Sequence, residues 1–269
     1  IFALARPRKA DTSVRKNVEG IDIVIALDIS DSMLIEDMKP LNRLEAAKVT
    51  IKEFIQKRSS DRIGLVIFAG ESFTLVPPTL DYNLILQRLN EIQTAAQANM
   101  KEGTAIGVAL ANASGRLKDS TAKTRIVIFM TDGENNSGTI DPETAIEIAK
   151  GYGLKVYSIG LGKDGPTRLP VYQYNPFGQK IKTYQPFHST VNEELMNKMA
   201  QETNGKFYRA IREDSLSAVF KEIDSLEKTK VEVSNYTRYE EYFYRYLNIS
   251  IVFFILSWIL SSTVLRRAP

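Results

Sequence analysis

Cysteine is absent from this 269-residue chain, which excludes disulfides and every thiolate metal site. Histidine occurs once, at His188. A His-rich zinc centre is therefore excluded, and His-based acid–base chemistry has almost nothing to draw on. Neither sign of charge dominates. The 35 basic and 32 acidic groups leave +3, too even a balance for a nucleic-acid surface. No G-x-x-x-x-G-K-[ST] run is present, so a phosphate loop of that type is missing as well.

What is there is a chain of 43% hydrophobic residues, enough for one sizeable α/β domain with appendages. Its first signal is IDIVIALDISDSM, residues 21–33. Ile21 to Leu27 is almost continuously apolar and β-branched, as a strand buried on both faces must be. Asp28, Ser30 and Ser32 then stand at alternate positions just past it. Loops at the carboxyl ends of parallel strands are where open α/β sheets bind ligands. One carboxylate and two hydroxyls there are hard oxygen donors for a small dication such as Mg²⁺ or Mn²⁺.

Two later segments join this one. Gly103-Thr104 opens the helical run GTAIGVALANASGRL, and Thr104 supplies a third hydroxyl. RIVIFMTDGENNSG, residues 125–138, repeats the strand-then-acid pattern, with Asp132 just past the strand. Asp31 and Glu134 lie in the same loops and read as neighbours that add negative potential. Each residue alone has a plainer role: Ser as a turn residue, Thr104 as a helix cap, Asp132-Gly133 as a turn. Together they form an ordered set.

Residues 21–229 alternate strands and helices, which predicts a doubly wound, mostly parallel sheet with helices on both faces. Strands are predicted at 21–28, 62–69, 125–131, 155–159 and 206–209, and helices at 44–56, 82–92, from 104, from 142, at 191–203 and at 214–227. Ser72–Val76 follows the second strand so closely that it must return as an antiparallel edge, ending at Pro77-Pro78. Between 163 and 188 lies an insertion with strand-like VYQY and KIKTY around Asn175-Pro-Phe-Gly178, read as an aromatic hairpin.

Leu247–Leu265 is 19 residues without charge, a length that predicts a membrane-spanning helix. Tyrosines and phenylalanine crowd its start and Arg266-Arg267 follow it, as interfacial anchors do. Residues 230–246 read as a charged aromatic stalk. IFALA followed by RPRK reads as the trailing edge of an earlier apolar segment, an upstream membrane helix, with residues 1–20 juxtamembrane.

Strand–DxSxS, loop–Thr, strand–TDG in this order resembles the metal-ion-dependent adhesion site of von Willebrand factor type A (VWA) domains. The resemblance makes Asp28, Ser30, Ser32, Thr104 and Asp132 the metal residues, with one metal position left for a partner's carboxylate. ALARP (3–7), GKFYRA (205–210), VFKEIDSLEKTKVEV (219–233) and YTRYEEYF (236–243) extend the likeness to the bacterial aerotolerance (Bat, BatA-like) membrane proteins. That implies a non-enzymatic binding module in a bacterial inner membrane, its VWA domain on the periplasmic side. The implied partners are sister VWA proteins, tetratricopeptide-repeat proteins and a MoxR-type AAA+ ATPase, with no nucleic acid. A Mg²⁺-dependent phosphatase of the dehalogenase type is the enzymatic alternative. Such enzymes place a second Asp where Ser30 stands. A structural membrane protein with a non-functional metal site is the remaining one.

Overall fold

The computed structural model describes residues 8–11, 20–174, 179–228, 238–241 and 243–263. The chain divides into two units. One comprises Glu19–Lys230, the other Ile1–Val18 together with Val231–Pro269.

The smaller unit holds a short antiparallel ladder between β1 (Arg8–Asp11) and a late strand (Arg238–Glu241). No periodicity announced it: four-residue strands are too short to show alternation, and their pairing joins opposite ends of the sequence. The unit also contains a 21-residue helix, Phe243–Thr263. The membrane span read at 247–265 is not reproduced: among the described residues no helix is long and apolar enough to cross a membrane. The helix starts earlier than the uncharged run and takes in FYRY, while the last two residues of that run lie outside the described residues. Its side chains from Leu247 to Leu260 include a run of exposed apolar groups, Phe253, Phe254 and Trp258 among them.

The larger unit is the α/β body. It runs β2 (Asp22–Asp28), a single 3-10 turn at Asp31–Leu34, α1 (Arg43–Gln56), β3 (Arg62–Phe68), β4 (Ser72–Thr79) and α2 (Tyr82–Glu91). There follow α3 (Ile106–Leu117), β5 (Arg125–Thr131), α4 (Pro142–Gly151) and β6 (Lys155–Leu161). The hairpin β7 (Gly165–Tyr174) and β8 (Lys180–Ser189) comes next, then α5 (Glu193–Glu202), β9 (Phe207–Ala210) and α6 (Glu213–Lys228). The late strand and helix of the smaller unit are β10 and α7.

Six strands form the sheet in the order β4-β3-β2-β5-β6-β9. All neighbours are parallel except β3 and β4. The expected antiparallel edge is present, but Pro77 and Pro78 do not end it. β4 continues to Thr79 because an edge strand has one side with no ladder partner, where the missing N–H costs nothing. The register shifts between Ile63 and Leu65 and again before Val66 accommodate the two prolines.

The apolar runs are buried on both faces, as their lack of alternation requires. Ile23, Ile25 and Leu27 pack under α1, α2 and α6, while Val24 and Ala26 pack under α3 and α4. Helix starts follow the capping chemistry of the sequence. Asn42, Asp81, Asp141 and Asn192 each accept a backbone N–H of the first turn, and Pro142 occupies the first position of α4. The exception is α3. It begins at Ile106 rather than Thr104, and Ala105 provides no side-chain cap.

β2 is the strand from which the chain first winds to one side, into β3, and later to the other, into β5. The carboxyl ends of β2 and β5 therefore flank the point where the strand order reverses, the position of the binding crevice in open α/β sheets. Ile128 lies in the middle of β5, fully buried against the α1 side. Ile128→Ala should cost about 2–5 kcal/mol, read as a lower urea midpoint with little change in slope.

Candidate functional site

The crevice collects all five residues that the sequence singled out. Asp28 is the last residue of β2 and Asp132 follows the last residue of β5. Both are buried, as are Ser30 and Thr104. The Asp28 carboxylate accepts the Ser30 N–H at 2.8 Å on Oδ1 and the Thr131 hydroxyl at 2.5 Å on Oδ2. Ser30 Oγ and Ser32 Oγ are 3.0 Å apart, and Ser32 Oγ donates to Asp132 Oδ1 at 2.7 Å. Hydrogen bonds thus lead from Asp28 through the Ser30 backbone N–H, and from the Ser30 hydroxyl through Ser32 to Asp132.

Thr104 comes from a third segment and is positioned by backbone alone. Gly70 N–H donates to Lys101 C=O at 2.8 Å, and Ala105 N–H to Ala69 C=O at 2.7 Å. These bonds pin the 101–105 loop to the end of β3. The approach is so close that a Cβ on Gly70 would sit 2.1 Å from the Glu102 carbonyl oxygen. Gly103 turns the chain with φ +109°, a conformation that favours glycine. The Thr104 hydroxyl then faces Gly133, where a Cβ would lie 3.3 Å from Thr104 Oγ1. Among the described residues no hydrogen bond occupies that hydroxyl.

Four functional neighbours escaped the sequence reading. Asn136 Oδ1 accepts the Thr104 N–H at 2.7 Å, and Asn135 Oδ1 accepts the Ile106 N–H at 2.9 Å. These two asparagines satisfy the amino end of α3 from another loop, which explains why α3 lacks a cap of its own. Thr131 orients Asp28. The largest omission is Arg43, fully buried at the first position of α1. Its Nε and one terminal nitrogen grip Asp37 at 2.9 and 2.6 Å. The other donates to Asp132 Oδ2 at 2.8 Å and to Ser189 Oγ at 3.0 Å. A signal existed: Arg43 shares the apolar stripe of α1 with Ala47, Thr50 and Phe54, and a cation there needs a buried acid. The sequence alone could not say which.

Burial and the neighbouring Asp132 charge push the Asp28 carboxyl up to about 7. Burial also raises Asp132, against which Arg43 and the Ser32 hydroxyl work. Asp31 is raised by burial and by Glu102 beside it. These groups resist ionisation where no cation balances them. Three carboxylates (Asp28, Asp37, Asp132) less one guanidinium leave two negative charges, which a dication would balance. The donors are oxygen only; among the described residues no group of three or more His, Cys, Asp or Glu is placed to hold a metal ion, so a cation here would rely on the hydroxyls as well as the two aspartates. The oxygen spacings of 2.7 and 3.0 Å match neighbouring ligands of an ion bound at about 2.0–2.1 Å in octahedral geometry. The donor set fits a hard dication.

Two outcomes follow from this chemistry. A carboxyl raised in the folded state and ordinary in the unfolded one makes the metal-free protein lose stability as pH climbs from about 4 to 7. Asp28→Asn should flatten that part of the profile in chelator-treated protein, read as Tm against pH. Gly162, at φ +82°, lies against the guanidinium so closely that a Cβ would be 2.2 Å from Arg43 Cζ. Gly162→Ala should therefore lower Tm, whereas Gly115→Ala, where a Cβ meets nothing within 4 Å, should not.

The von Willebrand factor type A domain family matches residues 22–222. An uncharacterized protein of Borreliella burgdorferi is 32% identical over 270 residues, covering 98% of this chain and 77% of its own. A UPF0353 protein of Mycolicibacterium paratuberculosis is 29% identical over 237 residues; 83% of this chain is matched, spanning 65% of that protein. Among solved structures, BatB from Bacteroides thetaiotaomicron superposes with a TM-score of 0.62 at 32% identity, covering 78% of this chain and all of that one. An aerotolerance-related membrane protein from Bacteroides fragilis gives 0.61 at 32% identity over the same shares. The mussel byssus protein PTMP1, with zinc in its MIDAS motif, shares the fold at 17% identity and a TM-score of 0.57, over 82% of this chain and 48% of its own. With its matched family, its strand order and these relatives, the chain belongs to the von Willebrand factor type A family and stands among its Bat-like members.

Proposed function

We propose that this protein is a membrane-attached VWA module that holds a divalent cation, Mg²⁺ or Mn²⁺, in the β2–β5 crevice and uses it to engage an acidic group of a protein partner. The observation that carries this reading is the hydrogen-bonded set Asp28–Ser30–Ser32–Asp132, with the Thr104 hydroxyl against Gly133, the residue next to Asp132. Domains of this family are in general adhesion or interaction modules rather than catalysts.

Each residue has a distinct task. Asp28, held by Thr131, and Asp132, held by Arg43, supply charge. Ser30, Ser32 and Thr104 supply neutral oxygens. Three hydroxyls rather than three acids leave a bound cation without surplus negative charge from its ligands, so it retains affinity for an incoming carboxylate. The phosphatase alternative lacks its second acid, because position 30 is serine.

Membrane attachment is supported by the Bacteroides fragilis relative, described as a membrane protein, and by the exposed apolar side chains of α7. We place the attachment in the carboxyl-terminal apolar segment and the VWA unit on the periplasmic side of a bacterial inner membrane. Sister VWA proteins, tetratricopeptide-repeat proteins and a MoxR-type AAA+ ATPase are the partners that the Bat resemblance implies, in an assembly linked to oxygen or stress tolerance. Residues 21–229 are the binding unit in this reading, carrying the 163–188 hairpin; of the segment 230–246 read as a stalk, residues 230–237 and 242 lie outside the described residues.

Asp28→Ala should abolish Mg²⁺ binding in calorimetry while leaving the far-ultraviolet circular dichroism unchanged, because Asp28 is the final residue of β2 and, among the described residues, its side chain bonds only the Ser30 N–H and the Thr131 hydroxyl. Equal binding by the wild type and the variant would refute the site. Removal of residues 243–269 should transfer the protein from the detergent-requiring to the aqueous fraction. A full chain that stays monodisperse without detergent would refute the attachment.

A further inference from the structure

The β7–β8 hairpin leaves the body right after β6, at the same carboxyl edge as the crevice. Its base is tied to the site's ionic network. Ser189 accepts from Arg43, and the Lys163 N–H reaches Asp37 at 3.4 Å. Farther out, Lys182 Nζ donates to Glu36 Oε1 and Tyr184 OH donates to Glu36 Oε2 at 3.0 Å. Glu36 is the neighbour of Asp37, so the loop that holds Arg43 also holds the hairpin.

The prolines of the hairpin indicate how it can bind. Opposed pairs in an antiparallel ladder alternate between those that exchange hydrogen bonds and those whose N–H groups point outward. Pro166, Pro170 and Pro186 all fall in one alternating set: Pro166 opposite His188, Arg168 opposite Pro186, Pro170 opposite Tyr184. Proline tolerates only the outward positions. The outer edges therefore lack donors at 166 and 170 on one strand and at 186 on the other, and strand addition is blunted. What remains for recognition is a face.

One face carries Arg168, Tyr172, Lys182, Tyr184 and His188, because opposed residues and residues two apart share a side. All five are exposed, Tyr172 by 43% and Tyr184 by 50%. Residues 165–189 contain Arg168, Lys180 and Lys182 and no acidic residue. With Lys182 paired to Glu36, Arg168 gives this tyrosine-bearing face its positive charge, beside a crevice that itself suits a carboxylate.

We propose that this hairpin face is the specificity half of the partner surface and takes an extended acidic protein segment. One carboxylate enters the crevice, and further acids and aromatics lie along Arg168, Tyr172 and Tyr184. The inference rests on the metal-dependent reading above and adds the chemistry of the partner to it. Charge complementarity selects the occupant, and the tyrosines offer amphipathic contact area at low entropic cost.

The test uses the full chain in detergent micelles with Mg²⁺ and a fluorescent random copolymer of glutamate and tyrosine, read by anisotropy. Wild type should bind it. The double variant Arg168→Glu/Tyr172→Ser should bind about tenfold or more weakly, a loss of about 1.4 kcal/mol or more, with Mg²⁺ calorimetry and Tm unchanged. Asp28→Ala should also lose binding. A double variant that binds like wild type, while Asp28→Ala does not, overturns the hairpin assignment and leaves the metal reading standing. Loss in the double variant alone keeps the hairpin face and refutes the metal reading. A wild type that ignores the copolymer overturns the proposal. So does a double variant that keeps the copolymer but loses preferential flotation with anionic over zwitterionic vesicles, which would make the face a lipid contact.

Discussion

The crevice depends on one buried cation. Arg43 enters the first turn of α1 fully removed from water, where a lone guanidinium would be costly. It is tolerated because Asp37 takes it in bidentate fashion and Asp132 and Ser189 take the remaining donor. This contact decides which way Asp132 faces. Oδ2 is committed to Arg43, so Oδ1 is the oxygen left toward Ser32 and the crevice. Removing one partner from such a group is far more damaging than never having built it, because the others stay buried and unpaired. The positive φ of Gly162 is part of the same construction, since no side chain fits between that turn and the guanidinium.

The same network joins two regions with different chemistry. Toward the crevice it presents carboxyls that burial makes reluctant to ionise, a penalty that a dication would offset. Toward the surface it anchors the base of a hairpin rich in tyrosine and basic groups. A partner that touches both would sense one rigid edge rather than two loops, because the 31–37 segment is bonded to each. That segment makes a single 3-10 turn between β2 and α1, with Met33 and Ile35 buried beneath it. Its backbone is fixed by packing as well as by polar contacts.

Much of the body was legible because buried parallel strands leave an unambiguous trace. IVIAL, IGLVIF and IVIFM are runs without alternation, and each became a strand covered on both sides. Asp81 and Asp141 marked two helix starts in the sequence, and Asn42 and Asn192 cap two more. Where expectation and structure part, the reason is a partner from elsewhere in the chain. β4 runs on through its prolines because its outer side faces no strand. α3 starts two residues late because Asn135 and Asn136 cap it from another loop. The ladder between β1 and β10 pairs residues some 230 positions apart, beyond any local pattern.

The five oxygen-bearing residues were likewise visible in the sequence, since each follows a strand or opens a helix and the binding edge of such a sheet is known from its winding alone. The sequence by itself determined the fold class and the edge at which chemistry collects, because apolar periodicity and strand order are local or nearly local properties. Only the tertiary structure decided that Arg43 orients Asp132, that Thr131 orients Asp28, and that Gly162 must remain without a side chain. It alone decided that the hairpin is tied back to the crevice through Glu36. Those relations join residues from 6 to 148 positions apart. They exist because burial forces each charged or polar group to find a partner in space, and sequence separation has no bearing on which partner that is.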